Sequence, residues 1–197
     1  MPKLTPEVYA ARRQHILDAA KLCFARKGFH GSSMTDLMEE ANVSAGSIYV
    51  YFASKAEIII AITDINLGRL TTALATIIEA KPQPSFADVM LEIVRLDEAI
   101  ATGPTRGIAF DVWGEGVRQD DIGEVLSKHL ANLRELFVRV AERAISTGEL
   151  PRSANAREVG AVLLSLVIFG YYGQRLTLGG ITPESYVDGL LSMLGSD

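Results

Sequence analysis

SMTDLMEEANVSAGSIYVYF, residues 33–52, predicts two short helices joined by a tight turn. The turn falls at residues 41–44, where Asn42 supplies a residue that tolerates left-handed backbone. Apolar residues occupy the positions at which the two helices of such a motif touch, namely Leu37, Ala41, Val43 and Ile48. The segment therefore predicts a helix-turn-helix whose second helix has about seven residues.

The second helix of this motif begins with small, polar residues. Ser44, Ala45, Gly46 and Ser47 would let the start of the helix approach DNA closely, so that hydroxyl and backbone N–H groups can bond phosphate. Residues 44–51 contain no Arg, Gln or Asn, the side chains that best make paired hydrogen bonds to bases. We therefore expect apolar contacts, backbone groups and DNA shape to carry much of the selectivity.

Helical spacing of apolar residues continues along the chain, and no strand pattern interrupts it. Ser33 with Asp36, and Ser54 with Glu57, have the spacing of capping boxes. Longer helices are predicted at 55–79, 122–146 and 155–178, with further starts at Ser85 and Thr182 and breaks at 81–84, Gly103-Pro104, Gly148 and Gly179-Gly180. The predicted fold is all-α with about nine helices.

Composition bounds the classes of protein to consider. The chain has 197 residues, of which 48% are hydrophobic, enough for one large domain or two small ones. The net charge of −5 opposes nucleic-acid binding, but residues 1–55 carry +2 and the remainder −7. A mildly basic head on an acidic body suits local phosphate contact, although ordinary charge scatter explains the asymmetry equally well. The domains are predicted as 1–55, a DNA-binding head, and 56–197, a body.

Cysteine usage and apolar runs predict a cytoplasmic protein without a membrane span. Cys23 is the single cysteine, which excludes a disulfide framework and a cysteine-rich zinc site. Residues 1–20 contain three basic residues and no apolar run, so no secretory signal is expected. The longest apolar stretch, residues 159–172, has 14 residues, fewer than the about 20 that a bilayer requires.

An enzyme is the first rival hypothesis. His15, His30 and His129 are scattered, and the chain has no HExxH, no nucleophile elbow and no phosphate-binding glycine loop. We therefore predict no catalytic residues, no metal and no cofactor. The second rival is a helical protein-interaction adaptor without ligand-gated DNA binding, which would leave the small, polar helix start beside Tyr51 and Lys55 unexplained.

Residues 28–59, GFHGSSMTDLMEEANVSAGSIYVYFASKAEII, strongly resemble the DNA-binding region of the TetR family of repressors. The resemblance extends over roughly residues 10–60 and combines helix signals, an aromatic pair and a Ser-Lys-x-Glu cap at fixed spacing. Asn42 replaces the usual Gly, and both residues accept the same backbone conformation. The resemblance implies a ligand-responsive repressor that binds a palindromic operator as a dimer.

The resemblance also implies roles for individual positions. It places Ser44, Ala45, Gly46 and Ser47 at the DNA-facing start of the recognition helix. It places Tyr49 and Tyr51 against phosphates or base edges, Lys55 on a phosphate, and Ser33 at a helix cap that also touches phosphate. Ile48 and Phe52 are expected in the core. Because residues two apart on a helix face different ways, one tyrosine should be packed, and Tyr51 is predicted to be the more exposed.

The same resemblance implies a ligand cavity and a dimer interface in the body. Pocket candidates are the bulky residues Met90, Phe110, Trp113, Phe137, Phe169 and Tyr172, although residues of this kind more often form core than line a ligand. Polar residues that could orient a small-molecule effector, if buried, are Glu92, Asp97, Asp111, Glu115, Arg118 and Gln174. Predicted homodimer contacts are Val162, Leu166, Phe169, Tyr186, Leu190 and Leu194. The helix at 155–178 is apolar over more than one face, which a homodimer would bury, and the last helix adds further apolar residues; the alternative is a single internal core helix.

Overall fold

The computed structural model describes residues 5–101 and 107–194, apart from the side chains of residues 99–101. Within these ranges the chain forms nine helices and no strand, which confirms the all-α prediction. The predicted break at Gly103-Pro104 lies outside the described residues. The helices are α1 (Pro6–Gly31), α2 (Met34–Ala41), α3 (Ala45–Ile48), α4 (Lys55–Glu79), α5 (Phe86–Ala101), α6 (Ile108–Gly116), α7 (Asp120–Thr147), α8 (Ala156–Thr177) and α9 (Pro183–Leu194).

Local capping signals account for where several helices start. The Ser33 hydroxyl accepts from Asp36 N at 3.1 Å, and the Asp36 carboxylate accepts from Ser33 N at 2.7 Å, a complete capping box. Ser54 accepts from Glu57 N at 3.1 Å, but the Glu57 carboxylate accepts from Ala53 N rather than from Ser54 N. Both predicted starts are confirmed, the second with a shifted partner.

The chain divides into two compact units. The first comprises the described residues within Met1–Asn66 and Pro104–Leu126, and therefore includes α6 and the start of α7. The second comprises those within Leu67–Gly103 and Ser127–Asp197. α4 contributes residues to both units, because it runs through position 66 without interruption. The functional boundary predicted after residue 55 stays a prediction.

The first unit is built around the apolar stripe of α1. Ile16, Ala20 and Phe24 are almost fully buried, as are Leu37 of α2 and Ile58 of α4 in the same unit. In the same unit α6 and α7 cross at two glycines. A Cβ added to Gly123 would lie 2.5 Å from the carbonyl oxygen of Gly116, so this crossing has no room for a side chain.

The second unit packs α5, the later part of α7, α8 and α9. Phe86, Met90, Phe137 and Tyr171 lie in its core. α8 is interrupted by a π-helical segment, Leu166–Tyr171, between α-helical stretches Ala156–Ser165 and Tyr172–Thr177. A π turn adds a residue to the helix and is often found at functional sites.

Candidate nucleic-acid interface

The turn between α2 and α3 has the predicted backbone. Asn42 adopts φ 50° and ψ 50°, the left-handed conformation for which Asn is suited. α3 spans only Ala45–Ile48, because residues 49–51 form turns instead of continuing the helix. The expected length of about seven residues was therefore wrong. Ile48, Leu37 and Ala41 are buried and hold the two helices together, and Phe52 is also buried as predicted.

The start of α3 presents a small and open surface. Ser44, Ala45 and Gly46 are exposed, and a Cβ added to Gly46 would meet no atom within 4 Å. Ser44 occupies the N-cap position, yet its side chain makes no capping hydrogen bond. Its hydroxyl is therefore available to an external partner, as is expected of a residue that contacts a phosphate.

The solvent exposure of the two tyrosines after α3 is the opposite of the prediction. Tyr49 is 52% exposed, whereas Tyr51 is only 9% exposed and stacks on Tyr9 with ring centroids 4.7 Å apart. The prediction that Tyr51 is the more exposed was wrong, because it assumed that helical spacing continues past Ile48. Tyr49 is thus the tyrosine that lies at the surface, and the Tyr51 hydroxyl is buried without a hydrogen-bond partner.

A cavity of about 450 Å³ lies between α1 and the turn of the motif. Arg12 and His15 line it from α1, and Ser44, Ser47 and Tyr51 line it from the motif. His15 Nε2 lies 2.8 Å from the carbonyl oxygen of Ala41, which ties α1 to the turn. The cavity brings the guanidinium of Arg12 together with two serines and a tyrosine beside α3.

Arg12 differs from the other cations of the head. Arg26 and Lys27 form ion pairs with carboxylates of α2, and Arg13 lies 4.8 Å over the ring of Phe52. The Lys27 ammonium and the Ser33 cap hold the pKa of Asp36 well below its usual range, so that pair is charged at neutral pH. Within the described part of the head, Arg12 is the cation that has no partner. Sequence reasoning missed it because nothing local separates Arg12 from Arg13.

Lys55 is bound inside the first unit. Its ammonium donates to the carbonyl oxygens of Phe29 and Ser32, each at 2.6 Å, and lies 4.3 Å from the centroid of the Phe29 ring. These bonds satisfy carbonyls at the end of α1 and in the loop before α2. An ammonium has three donors, so one remains for an external acceptor. The phosphate contact of Lys55 stays a prediction, and a structural role is added to it.

Ser33 is exposed, but its hydroxyl already binds the Asp36 carboxylate at 2.6 Å. It therefore acts as a helix cap, and its expected phosphate contact stays a prediction.

The predicted pocket residues do not share one environment. Met90, Phe137 and Tyr172 are buried in the second unit. Phe169, also in the second unit, is 51% exposed, and Phe110 of the first unit is 39% exposed. Trp113 is half-buried beside Phe110, with ring centroids 5.3 Å apart. Their role as ligand walls stays a prediction.

Two of the six polar residues considered for effector binding are buried, Asp97 in the second unit and Glu115 in the first. Glu115 is well partnered, since His30 Nε2 lies 2.5 Å from its carboxylate and the Gln119 amide also donates to it. Nearby, Asp111 accepts from Phe29 N at 3.2 Å. These contacts join α6 to the end of α1 within the first unit, so Glu115 has a structural role there.

The predicted dimer residues are only partly available to a second copy. Val162, Phe169 and Leu194 are 56%, 51% and 38% exposed. Leu190 is 8% exposed and packs inside its own unit, so it is removed from the predicted interface. Tyr186 and Leu166 are half-buried, and the Tyr186 hydroxyl donates to Leu166 O at 2.6 Å.

In the described part of the chain, no cluster of His, Cys, Asp and Glu has the composition of a metal site. Lys55–Glu79 and Ala156–Thr177 are long and apolar enough to cross a membrane by length and composition alone, a property that core helices of water-soluble proteins share. Cys23 is buried, as expected of a core residue.

Residues 16–62 match the family of bacterial regulatory proteins named tetR. The chain is 31% identical over 150 residues to the HTH-type transcriptional regulator YfiR of Bacillus subtilis, covering 75% of this chain and 72% of that protein. It is 29% identical over 183 residues to the HTH-type transcriptional regulator UidR of Escherichia coli, covering 93% and 91%. The solved structure of Salmonella enterica GusR superposes with a TM-score of 0.77 at 24% identity, covering 98% of this chain and 96% of that one.

A helix-turn-helix with an open, small-residue start to its recognition helix, and full-length relatives that regulate transcription, agree on one class of protein. The chain belongs to the TetR family of bacterial regulatory proteins and is a DNA-binding transcriptional regulator.

Proposed function

We propose that this regulator is a cytoplasmic repressor that binds a palindromic operator as a homodimer and releases it when a small molecule binds the second unit. The proposal includes no catalytic activity. The observation that carries it is the cavity beside α3. The Arg12 guanidinium and the Ser44 hydroxyl that line it have no partner in the described head, and both groups can bond a phosphate backbone.

The DNA contact is proposed for the exposed side of the motif. Ser44, Ala45, Gly46 and Ser47 would approach the backbone, and Tyr49 would touch phosphate or a base edge. Arg12 would neutralise one phosphate, because its guanidinium has no partner within the described head. Tyr51 would not contact DNA directly, since its hydroxyl is shielded from solvent. It would instead pack on Tyr9 and form part of the cavity wall.

Arg12→Ala is expected to weaken binding to operator and to random DNA by a similar factor, about ten-fold at low salt, and to lower the salt slope by about one. The reason is that a phosphate contact carries charge but no sequence information. Fluorescence anisotropy over a salt series measures both quantities. Arg152→Ala, an identical change at an exposed arginine of the second unit, is the matched control and should leave the slope unchanged. A loss confined to operator would contradict the phosphate role.

Dimerisation is proposed through α8 and α9. Val162 and Phe169 on α8, and Leu194 on α9, leave large apolar side chains open to solvent. Covering such surface stabilises association, and a two-fold dimer would present two recognition helices to two half-sites. This assembly also explains why so apolar a helix as α8 is incompletely buried in a single chain.

Val162→Glu is expected to convert a dimer into a monomer at about micromolar concentration, because it places two charges against each other in a dry interface. Sedimentation velocity measures the change. Val117→Glu is the matched control, since Val117 is 89% exposed in the first unit and lies outside the proposed interface. A wild-type protein that sediments as a monomer, or equal dissociation by both variants, would reject this interface.

Ligand release is proposed to act through α4, the helix that contributes to both units. Half-sites lie roughly 34–36 Å apart, so a small change in its direction would prevent both recognition helices from binding at once. An effector that binds without changing operator affinity would argue against this mechanism.

Selection from a random duplex library tests the function as a whole. The proposed dimer should enrich an inverted repeat with half-sites about one helical turn apart. An adaptor that works through protein contacts would enrich no sequence, and that result would overturn the proposal.

A further inference from the structure

Asp97 on α5 is an isolated acid in the second unit. It is 6% exposed, and no residue of the described chain donates a hydrogen bond to its buried oxygen Oδ2. A buried carboxylate without a partner is costly, and such groups are concentrated at binding and catalytic sites. Asp97 has no place in the DNA interface, so its role lies elsewhere.

The neighbouring acid, Glu98, has the cationic partner that Asp97 lacks. Glu98 receives the guanidinium of Arg175, whose Nε lies 2.8 Å from Oε2 and whose Nη2 lies 2.9 Å from Oε1. The Tyr171 hydroxyl also donates to Glu98, at 2.6 Å. Arg175 is thus bound to Glu98, and an ionised Asp97 would have no compensating cation among the described residues.

Three tyrosines of α8 and α9 are affected by the charge of this acid. Tyr171 and Tyr172 on α8 are buried, and Tyr186 on α9 packs edge-on against Tyr171 with centroids 5.2 Å apart. Burial raises the pKa of Tyr172 to about 12, and the negative charge of Asp97 contributes to that increase. The pKa values of Tyr171 and Tyr186 are raised by burial and, to a smaller degree, by Asp97. The carboxylate therefore lies within electrostatic reach of all three phenols.

The π-helical segment of α8 organises this cluster. Tyr172 N donates to Val167 O, five residues earlier, and the Tyr186 hydroxyl donates to Leu166 O at 2.6 Å. A Cβ added to Gly170 would lie 2.4 Å from the Tyr186 hydroxyl, so glycine is required for this approach. The hydroxyls of Tyr171 and Tyr186 are thereby bound to other acceptors and not to Asp97.

We propose that Asp97, with the rings of Tyr171, Tyr172 and Tyr186, forms the recognition site for a small effector that carries a protonated amine. A cationic nitrogen would supply the missing partner of the carboxylate, and tyrosine ring faces attract cations. An anionic effector is disfavoured, because the Arg175 guanidinium is already bound to Glu98 and ionisation of Asp97 can only add negative charge. This site would define the effector class of the proposed repressor. It rests on the proposed function only for the claim that binding releases the operator.

Calorimetry with 2-phenylethylamine and its uncharged counterpart 2-phenylethanol tests the site on the full-length protein. At about pH 8.5 the amine should bind at least about ten-fold more tightly than the alcohol. Binding of the amine should weaken as the pH falls towards 6, because Asp97 must lose a proton to accept the cation. At about pH 7 the measured heat should depend on the buffer, since that proton is released into it.

Asp97→Asn keeps the shape of the side chain and should remove the preference for the amine. Asp188→Asn, the same change at an exposed position of α9, should preserve it. Equal binding of amine and alcohol to the wild-type protein, a preference that survives Asp97→Asn, or no binding of the amine at about 10 mM overturns the site.

Operator affinity, measured with and without the amine, separates failure of the site from failure of the release mechanism. Loss of the amine preference in Asp97→Asn supports the site even if the amine leaves operator affinity unchanged, and that result would count against the release mechanism alone. Release of operator by the amine in the wild-type protein but not in Asp97→Asn supports both. Release that persists in Asp97→Asn overturns the site and leaves the proposed repressor intact.

Discussion

Lys55→Met is expected to lower the free energy of unfolding by about 3 kcal/mol, because it removes two charge-assisted hydrogen bonds to part-buried carbonyl oxygens. The two acceptors are the carbonyl oxygens of Phe29 and Ser32. Methionine keeps most of the length of the apolar stem, so the loss reports the ammonium, including its contact with the Phe29 ring. Urea denaturation followed by tryptophan fluorescence is suited to this test, since Trp113 is the single tryptophan and belongs to the same unit.

Lys27→Met provides the control within that unit. Lys27 is bonded to Asp36 in an exposed pair, and exposed pairs contribute little to stability. Equal denaturation midpoints for the two variants would contradict the structural role of Lys55. A purely phosphate-binding lysine would give a different result, with DNA affinity reduced for operator and random sequences alike and unfolding unchanged.

Asp97→Asn is expected to stabilise the ligand-free protein by about 2–4 kcal/mol at pH 7. Burial, with a smaller contribution from Glu98, raises the pKa of Asp97 from 3.8 to about 8. Between these two values the unfolded chain ionises this group while the folded chain retains the proton, so the stability of the wild-type protein falls as the pH rises. The amide cannot ionise and removes that loss.

The gain from Asp97→Asn should therefore be small near pH 4, increase towards pH 8 and then level off. Urea denaturation followed by helix circular dichroism at about pH 5, 7 and 8.5 measures it. Asp188→Asn should show no such trend, because Asp188 is exposed. A variant that is less stable than the wild-type protein at every pH would mean that Asp97 has a donor in the folded state. If replacing the carboxylate stabilises the protein, that result would fit a residue that is retained for binding a ligand.

Helix starts were predictable because their signals act within one turn of the chain. Ser33 binds Asp36 three residues away, and Asn155 accepts from the N–H groups of Arg157 and Glu158. Left-handed backbone at Asn42 and the breaks at Gly148 and Gly179-Gly180 also depend on the residue itself. The apolar spacing of residues 33–52 was sufficient to predict the motif for the same reason.

The candidate site was predicted less completely. Ser44, Gly46 and Tyr49 lie exposed beside α3, as the pattern indicated. Tyr51 was misplaced because residues 49–51 leave the helix and its ring contacts Tyr9, 42 positions earlier in the chain. Arg12 was missed because its significance depends on the partners that the other basic residues of the head find elsewhere.

Local sequence thus determined the class of fold, the helix caps and the position of the DNA-binding motif, since each depends on residues a few positions apart. Tertiary structure decided the roles of charged groups. Lys55 meets Phe29 from 26 positions away, and Arg175 meets Glu98 from 77 positions away, leaving its neighbour Asp97 alone. An alternation of polar and apolar residues reports which face of a helix is buried. Only the assembled chain determines which of two neighbouring acids receives the Arg175 guanidinium.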